Sequence, residues 1–336
     1  MNRRPRIGVV GCGALGSFYG ARLARQGHDV HFLLRTDYEV VRQQGVRVRG
    51  ASEEWTVRPH AARVPEEIGS CDVVLIGLKT TANAQFARLL PPLVGPETAL
   101  LTLQNGLGNV EALATLFGPE RVLGGLCFVC LNRVAPGVIH HLAYGRIVMG
   151  EFGRPASPRA RAIADWFRQA DVPCEVTDHL ERAHWQKLVW NIPFNGLGVA
   201  GAAGYEAVVA GRRTAGRPLG PCLTTDALLG DPRWARLVRE LMDETIEAAR
   251  AQGLAVDPAE AEKQIDRTRT MGAYKASTLI DFERGLPLEV ETLFAEPLRR
   301  AQAAGAETFR LAALTSLLTE LDRDLRRSDP GGSSMR

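Results

Sequence analysis

Lysine is nearly missing from this chain. Of 41 basic residues only Lys79, Lys187, Lys263 and Lys275 are lysines, so each can be questioned singly. An arginine-heavy balance by itself needs no functional explanation. Charge of one sign is also lacking. The formal net charge is +3, which argues against a nucleic-acid or membrane-surface partner. No apolar run reaches the length of a membrane span. The basic start, Met1 to Arg6, leads into a short glycine-broken strand and lacks a cleavage site, so a cytoplasmic location is expected. No internal repeat is visible. Six cysteines are scattered through apolar surroundings. Cys127 and Cys130 form a CxxC with no second Cys/His pair at zinc spacing. They read as part of a buried strand, and no metal site is expected.

What is present is the composition of a soluble globular protein, 45% hydrophobic and 24% charged, in a chain of 336 residues. That length suffices for one large or two ordinary domains. Ile7-Gly8-Val9-Val10 is a short apolar strand. Gly11-Cys12-Gly13-Ala14-Leu15-Gly16 is a turn, and Ser17 to Gln26 has helical periodicity closed by Gly27. His28 to Leu34 is a second strand, and Asp72–Gly77 and Ala99–Leu103 are further buried ones. Apolar strands separated by helices imply a parallel sheet covered on both faces. Residues 122–151 read as several short strand pieces around a Pro136-Gly137 turn. A helix over 157–170 and a strand at 174–176 complete the first domain.

Beyond Asp178 the pattern turns helical, with helices expected over 181–199, 233–252, 278–304 with a break near Gly285-Leu286-Pro287, and 311–326. Residues 204–222, rich in glycine and proline, read as a loop or insertion. The expectation is therefore an α/β protein, with a Rossmann-type doubly wound domain over 1–178, an all-helical domain over 179–327, and a disordered tail over 328–336.

GxGxxG means little alone, but here it follows a strand and opens a helix. Gly11 permits the tight turn, Gly13 lets the backbone approach a pyrophosphate, and Gly16 allows helix and strand to pack closely. The helix N-terminus offers N–H groups and partial positive charge to the phosphates. Arg35 stands where NAD enzymes place an acidic residue for the ribose 2′-hydroxyl, and a guanidinium suits a 2′-phosphate. NADPH is the expected cofactor. The alternatives are a solvated Arg35, or Asp37 holding a 2′-hydroxyl. Lys79 and Asn105 follow two later strands on the same sheet edge and should face the nicotinamide half of the site; otherwise they are polar turn caps.

The stretch from Trp185 to Asn195 is the most informative of the second half. Lys187, Asn191 and Asn195 fall at i, i+4 and i+8, one polar line on an otherwise apolar helix. Such a line needs partners, either a ligand with oxygens or solvent. Carbonyl reduction by hydride needs a proton donor at the developing alkoxide. A lysine whose pKa is lowered by burial can supply it.

Together these pieces resemble the ketopantoate reductase family over nearly the whole chain, from Ile7 to about Leu318. The matching features are Gly11–Gly16, Arg35, Leu78-Lys79, Gln104-Asn105-Gly106, Pro136-Gly137-Val138 and Lys187-Leu188-Val189-Trp190-Asn191. The resemblance implies reduction of ketopantoate to pantoate with NADPH, on the route to pantothenate and coenzyme A. It makes Lys187 the general acid. It pairs a substrate-binding serine with a catalytic glutamate at a spacing that Ser277 and Glu289 carry, with Asp281 between them. Glu289 would bind the substrate hydroxyl or tune Lys187, and Ser277 would hold the carboxylate. Asn105, Asn191 and Asn195 carry over as cofactor and substrate contacts. The chain departs from the family after Glu289, where Val290-Glu291-Thr292 stands in place of Asn-Gly, and at 204–222. Three other readings stay open: a different 2-oxo acid on the same fold, a larger or phosphorylated substrate met by Arg212-Arg213, and a non-catalytic NADPH sensor. A homodimer is the candidate assembly.

Overall fold

The computed structural model describes residues 4–51 and 53–328. The chain divides into two compact units, Met1–Leu180 and Glu181–Arg336. The first carries ten strands in one sheet: β1 (Arg6–Val10), β2 (Asp29–Leu33), β3 (Val46–Arg49), β4 (Glu54–Val57), β5 (His60–Ala62), β6 (Cys71–Ile76), β7 (Val94–Thr102), β8 (Val122–Ala135), β9 (Val138–Glu151) and β10 (Cys174–Val176). Six of them, in the spatial order β5-β2-β1-β6-β7-β8, are parallel. From β1 the chain first builds outward through β2 and β5. It then returns to β6 on the other side of β1 and builds outward again. The gap between the carboxyl ends of β1 and β6 is thus the switch point where such sheets bind ligands.

Residues 122–151 are a correction to the expected short pieces. β8 and β9 are each fourteen residues long and form one antiparallel hairpin through the Pro136-Gly137 turn. Register shifts at Phe128/Val129, Cys130/Leu131 and Arg133/Ala135 interrupt the alternation, which disguises two long strands as several short ones. The hairpin extends the sheet. β3 adds parallel to β9, and β4 adds antiparallel to β3. The sheet is therefore mixed.

The helix Ala14–Arg25 organises this unit. It touches β1, β2 and β6 and also β8, β9, β3 and β4, so the sheet curls around it. Every residue from Gly16 to Leu23 is buried, as a helix enclosed on all sides requires. Tyr19 donates to Gly145 O at 3.2 Å, and Arg22 reaches Glu53 at 2.8 Å beside the Trp55 ring. Gly20 has no room for a side chain, because an added Cβ would lie 2.8 Å from Phe32 Cζ.

The second unit is helical. Leu180–Ala200 is its first helix, running through Pro193. Pro232–Ala251 and Phe309–Ser328 are the longest of the rest. Glu260–Arg269 is a helix that sequence periodicity did not reveal. The expected break after residue 284 is present: Ser277–Glu283 ends there, and the chain resumes as a π turn, Glu291–Ala295, continued by Glu296–Ala303. Segment 204–222 is not all loop. Tyr205–Ala210 is a short helix packed on Phe309–Ser328, closed by Gly211 at φ +68°. Ser328 ends the last helix; residues 329–336, the rest of the expected tail, lie outside the described residues.

Candidate active site

The glycine-rich loop after β1 is built by mutual contact of glycines. Gly11 sits at φ +94°, and an added Cβ would collide with the backbone of Gly77 and Leu78. A Cβ on Gly16 would collide with Gly11 O, and one on Gly77 would come within 3.0 Å of Gly11 O and Gly16 Cα. Three glycines thus lock the turn after β1 against the loop after β6. Gly13 differs. A Cβ there would meet nothing within 4 Å, so its bare Cα is open to an incoming group. It starts the Ala14–Arg25 helix with no side-chain cap and no acidic residue in the first turn. Exposed backbone at an uncapped helix start fits a pyrophosphate.

Cys12 lies beneath this turn, its thiol 3.4 Å from Val9 O, and Ser17 Oγ donates to Cys12 O at 3.0 Å. Burial, with the Asp37 carboxylate adding to it, pushes the Cys12 thiol far up, so it stays protonated. Burial likewise pushes Cys71 and Cys174 up to about 12. All six cysteines are free thiols; Cys127 and Cys130 are both buried on β8.

Arg35 follows the end of β2 and is exposed. Among the described residues its guanidinium makes no hydrogen bond or ion pair. Asp37 is its opposite. It is 5% exposed and accepts from Arg133 Nη1 at 2.5 Å, from Gly137 N at 3.0 Å and from Thr36 Oγ1 at 3.0 Å. Burial alone would raise its pKa, but these three donors hold the carboxyl below the usual carboxylate range.

Lys79 is exposed at the start of the short Thr80–Gln85 helix. Asn105 lies in the Gln104–Gly108 loop, where Gly106 and Gly108 take φ of +82° and +89°. A chain of amides joins the two loops. Thr102 Oγ1 donates to Gln104 Oε1 at 2.8 Å, and Gln104 Nε2 to Asn83 Oδ1 at 2.7 Å. Asn83 Nδ2 then donates to Asn109 Oδ1 at 2.8 Å, and Asn109 Nδ2 to Asn105 O at 2.9 Å. Asn83 and Asn109 were not read as site residues. Their partners lie a loop and a strand away, and no local spacing reports them.

In the helical unit, Lys187 is half-buried while Asn191 and Asn195 are 6% and 3% exposed. The polar line therefore runs inward along Leu180–Ala200. Asn195 Oδ1 accepts from Ser277 Oγ at 3.2 Å, Thr278 N at 3.1 Å and Thr278 Oγ1 at 2.9 Å. This brings Asn195 and Ser277 together and lets Asn195 cap the Ser277–Glu283 helix. One turn before Lys187 lies His184, also missed from sequence. Burial pushes its pKa down to about 3, with the Lys187 ammonium and Arg300 adding to the shift, so the ring is neutral. Glu289 is 5% exposed, just ahead of the π turn. The preceding residue is pinned, with Leu288 N donating to Asp322 Oδ1 at 2.8 Å.

The other lysines are spent on exposed ion pairs: Lys263 with Asp257 at 3.0 Å and Lys275 with Glu283 at 2.8 Å. Arg213 pairs with Asp324, and its backbone N donates to Glu320 at 2.9 Å. These bonds hold it to the last helix.

A curled Rossmann-type sheet with a phosphate turn, followed by a helical unit bearing a half-buried lysine, defines a class of nucleotide-dependent oxidoreductases. Residues 7–154 match the ketopantoate reductase PanE/ApbA family, and residues 219–322 match that family's C-terminal domain. A 2-dehydropantoate 2-reductase of Nostoc sp. is 37% identical over 96% of this chain and 96% of its own length. The crystal structure of 2-dehydropantoate 2-reductase from Geobacter metallireducens is 45% identical with a TM-score of 0.85, covering 94% of this chain and 99% of that one. That from Methylococcus capsulatus is 32% identical with a TM-score of 0.84, covering 95% and 97%. The chain belongs to the ketopantoate reductase family.

Proposed function

We propose that this protein reduces ketopantoate to pantoate, a 2-oxo acid to a 2-hydroxy acid, with NADPH as reductant. The substrate assignment rests on family membership together with Lys187, the one lysine on the buried helix of the second unit. The cofactor assignment rests on the contrast between Arg35 and Asp37. The guanidinium is exposed and uncommitted among the described residues, whereas the carboxylate is buried and holds three donors. A 2′-phosphate suits the first, and the second is already engaged by the fold through Arg133, Gly137 and Thr36.

Gly11, Cys12, Gly13, Ala14, Leu15 and Gly16 would hold the pyrophosphate by backbone, Arg35 the 2′-phosphate, and Lys79 and Asn105 the nicotinamide half. When bound, the nicotinamide supplies the hydride for the carbonyl carbon. Lys187 would donate a proton from Nζ to the carbonyl oxygen; its ammonium charge stabilises the negative charge developing there until the proton moves, which leaves a neutral amine and the product hydroxyl. His184, being neutral, leaves Lys187 as the cation of that helical turn. Ser277 and Asn191 hold the substrate's other oxygens, and Glu289 takes its hydroxyl or tunes Lys187.

The test is NADPH oxidation measured with ketopantoate and with a panel of related 2-oxo acids. Ketopantoate should give the highest kcat/KM, and NADPH should outperform NADH. A better 2-oxo acid would overturn the substrate assignment. Tight NADPH binding without turnover on any of them would make the protein a sensor.

A further inference from the structure

We propose that Asp29, His31 and His60 form a binding site for one divalent transition-metal ion, with zinc the best fit. The backbone creates the arrangement. Asp29 and His31 are alternate residues of β2, so they share one face of the sheet, while Val30 and Phe32 between them enter the core on the other. β5 pairs parallel to β2 with His60 directly opposite His31. Three potential ligands on two neighbouring strands are thereby placed side by side. One ligand atom from each lies within 4.8 Å of the others.

The side chains converge on one point. His31 Nε2 is 2.8 Å and His60 Nε2 is 3.5 Å from Asp29 Oδ1, and the two rings stack with centroids 4.5 Å apart. The other carboxylate oxygen, Oδ2, is held by Arg6 at 3.1 Å. Oδ1 is thus turned toward both imidazoles. Two imidazoles and one carboxylate oxygen are the ligand set that borderline divalent ions favour, at roughly 2.0–2.2 Å. An ion at that point requires each ring in its Nδ1–H tautomer, with the Nε2 lone pair facing inward. His60, largely exposed, can rotate to close the distances and leaves room for water as a further ligand.

The site lies toward the amino ends of the strands. Arg35 and the Gly11–Gly16 turn follow the carboxyl ends of β2 and β1, so the ion takes no part in hydride transfer. Its consequence is mechanical: it would tie β5, a three-residue strand at the sheet's edge, to β2.

Chelator-stripped full-length protein should be titrated with zinc chloride by calorimetry near neutral pH and melted with and without zinc. The wild type should show one saturable site per chain and a zinc-dependent rise in Tm. His60→Ala should weaken binding by at least about tenfold and lose the rise. His60 is exposed, so the metal-free Tm of this variant should match the wild type. Cobalt(II) binding should give weak visible bands of nitrogen and oxygen ligation. Absence of saturable binding overturns the proposal, as does an unchanged isotherm in His60→Ala. An intense cobalt–thiolate charge-transfer band would overturn it too, assigning the ion to cysteine.

Discussion

Asp37 accepts a 2.5 Å hydrogen bond from the Arg133 guanidinium, which ties the end of β2 to the tip of the β8–β9 hairpin. The Gly137 N–H at the hairpin turn adds a second bond at 3.0 Å. Asp37 is therefore held by the fold, and in the proposed reading it is Arg35, two residues earlier, that meets the 2′-phosphate. Arg35→Ala should raise the KM for NADPH about 10- to 100-fold, the worth of a charge-assisted phosphate contact. The KM for NADH should hardly move. Asp37→Asn should keep the NADPH preference and lower the melting temperature instead. Equal effects of Arg35→Ala on both cofactors would remove the 2′-phosphate role.

Lys187→Ala should lower kcat by about 10²–10⁴, the usual contribution of a positioned general acid. The dissociation constant for NADPH, read by fluorescence titration, should stay the same, because the phosphate turn and Arg35 belong to the other unit. Glu289→Gln should act mainly on KM for the oxo acid. Near-normal turnover in Lys187→Ala would sink the proton-donor assignment.

The parts of the fold set by local spacing were legible in the sequence. The glycine turn, the flanking strands and the polar line from Lys187 to Asn195 depend on periods of two and of 3.6 residues and on glycine's access to positive φ. What escaped depends on partners far along the chain. β3 and β5 are short and lie beside β9 and β2, so nothing local marks them. The bulges of β8 and β9 broke the alternation that signals a long strand. Asp29 and His31 look like ordinary strand residues until β5 brings His60 alongside. Asn195 was legible as a polar residue on a buried helix, but not as the cap of a helix some eighty residues later.

His184 links the site to pH. Its folded pKa, about 3, lies below the ordinary value of 6.5, because burial and the neighbouring Lys187 and Arg300 disfavour the charged ring. Between those values the unfolded chain binds a proton that the folded chain does not. Stability should therefore fall as pH drops below 6.5. The loss from this residue should reach roughly 2 kcal/mol by about pH 5. Urea unfolding of His184→Gln beside the wild type isolates it, because acidic groups contribute equally to both. Parallel pH profiles for the two proteins would mean that the ring is charged in the folded state.

Asn195 and Ser277 touch, yet the structure gives them different burdens. Asn195 Oδ1 satisfies three donors at the start of the Ser277–Glu283 helix, two of them on the buried Thr278. Asn195→Ala strands those donors, at a cost of about 1–3 kcal/mol. The melting temperature should drop by roughly 5 °C. Ser277→Ala removes one weak donor and leaves the cap in place, so its melting temperature should stay within about 1 °C of the wild type. If Ser277 holds the substrate carboxylate, its KM for the oxo acid should rise about tenfold with kcat little changed, the signature of lost ground-state binding. Asn195→Asp, which keeps the acceptor, should restore stability to the Asn195 position. A Ser277→Ala enzyme with unchanged KM would confine that hydroxyl to helix capping.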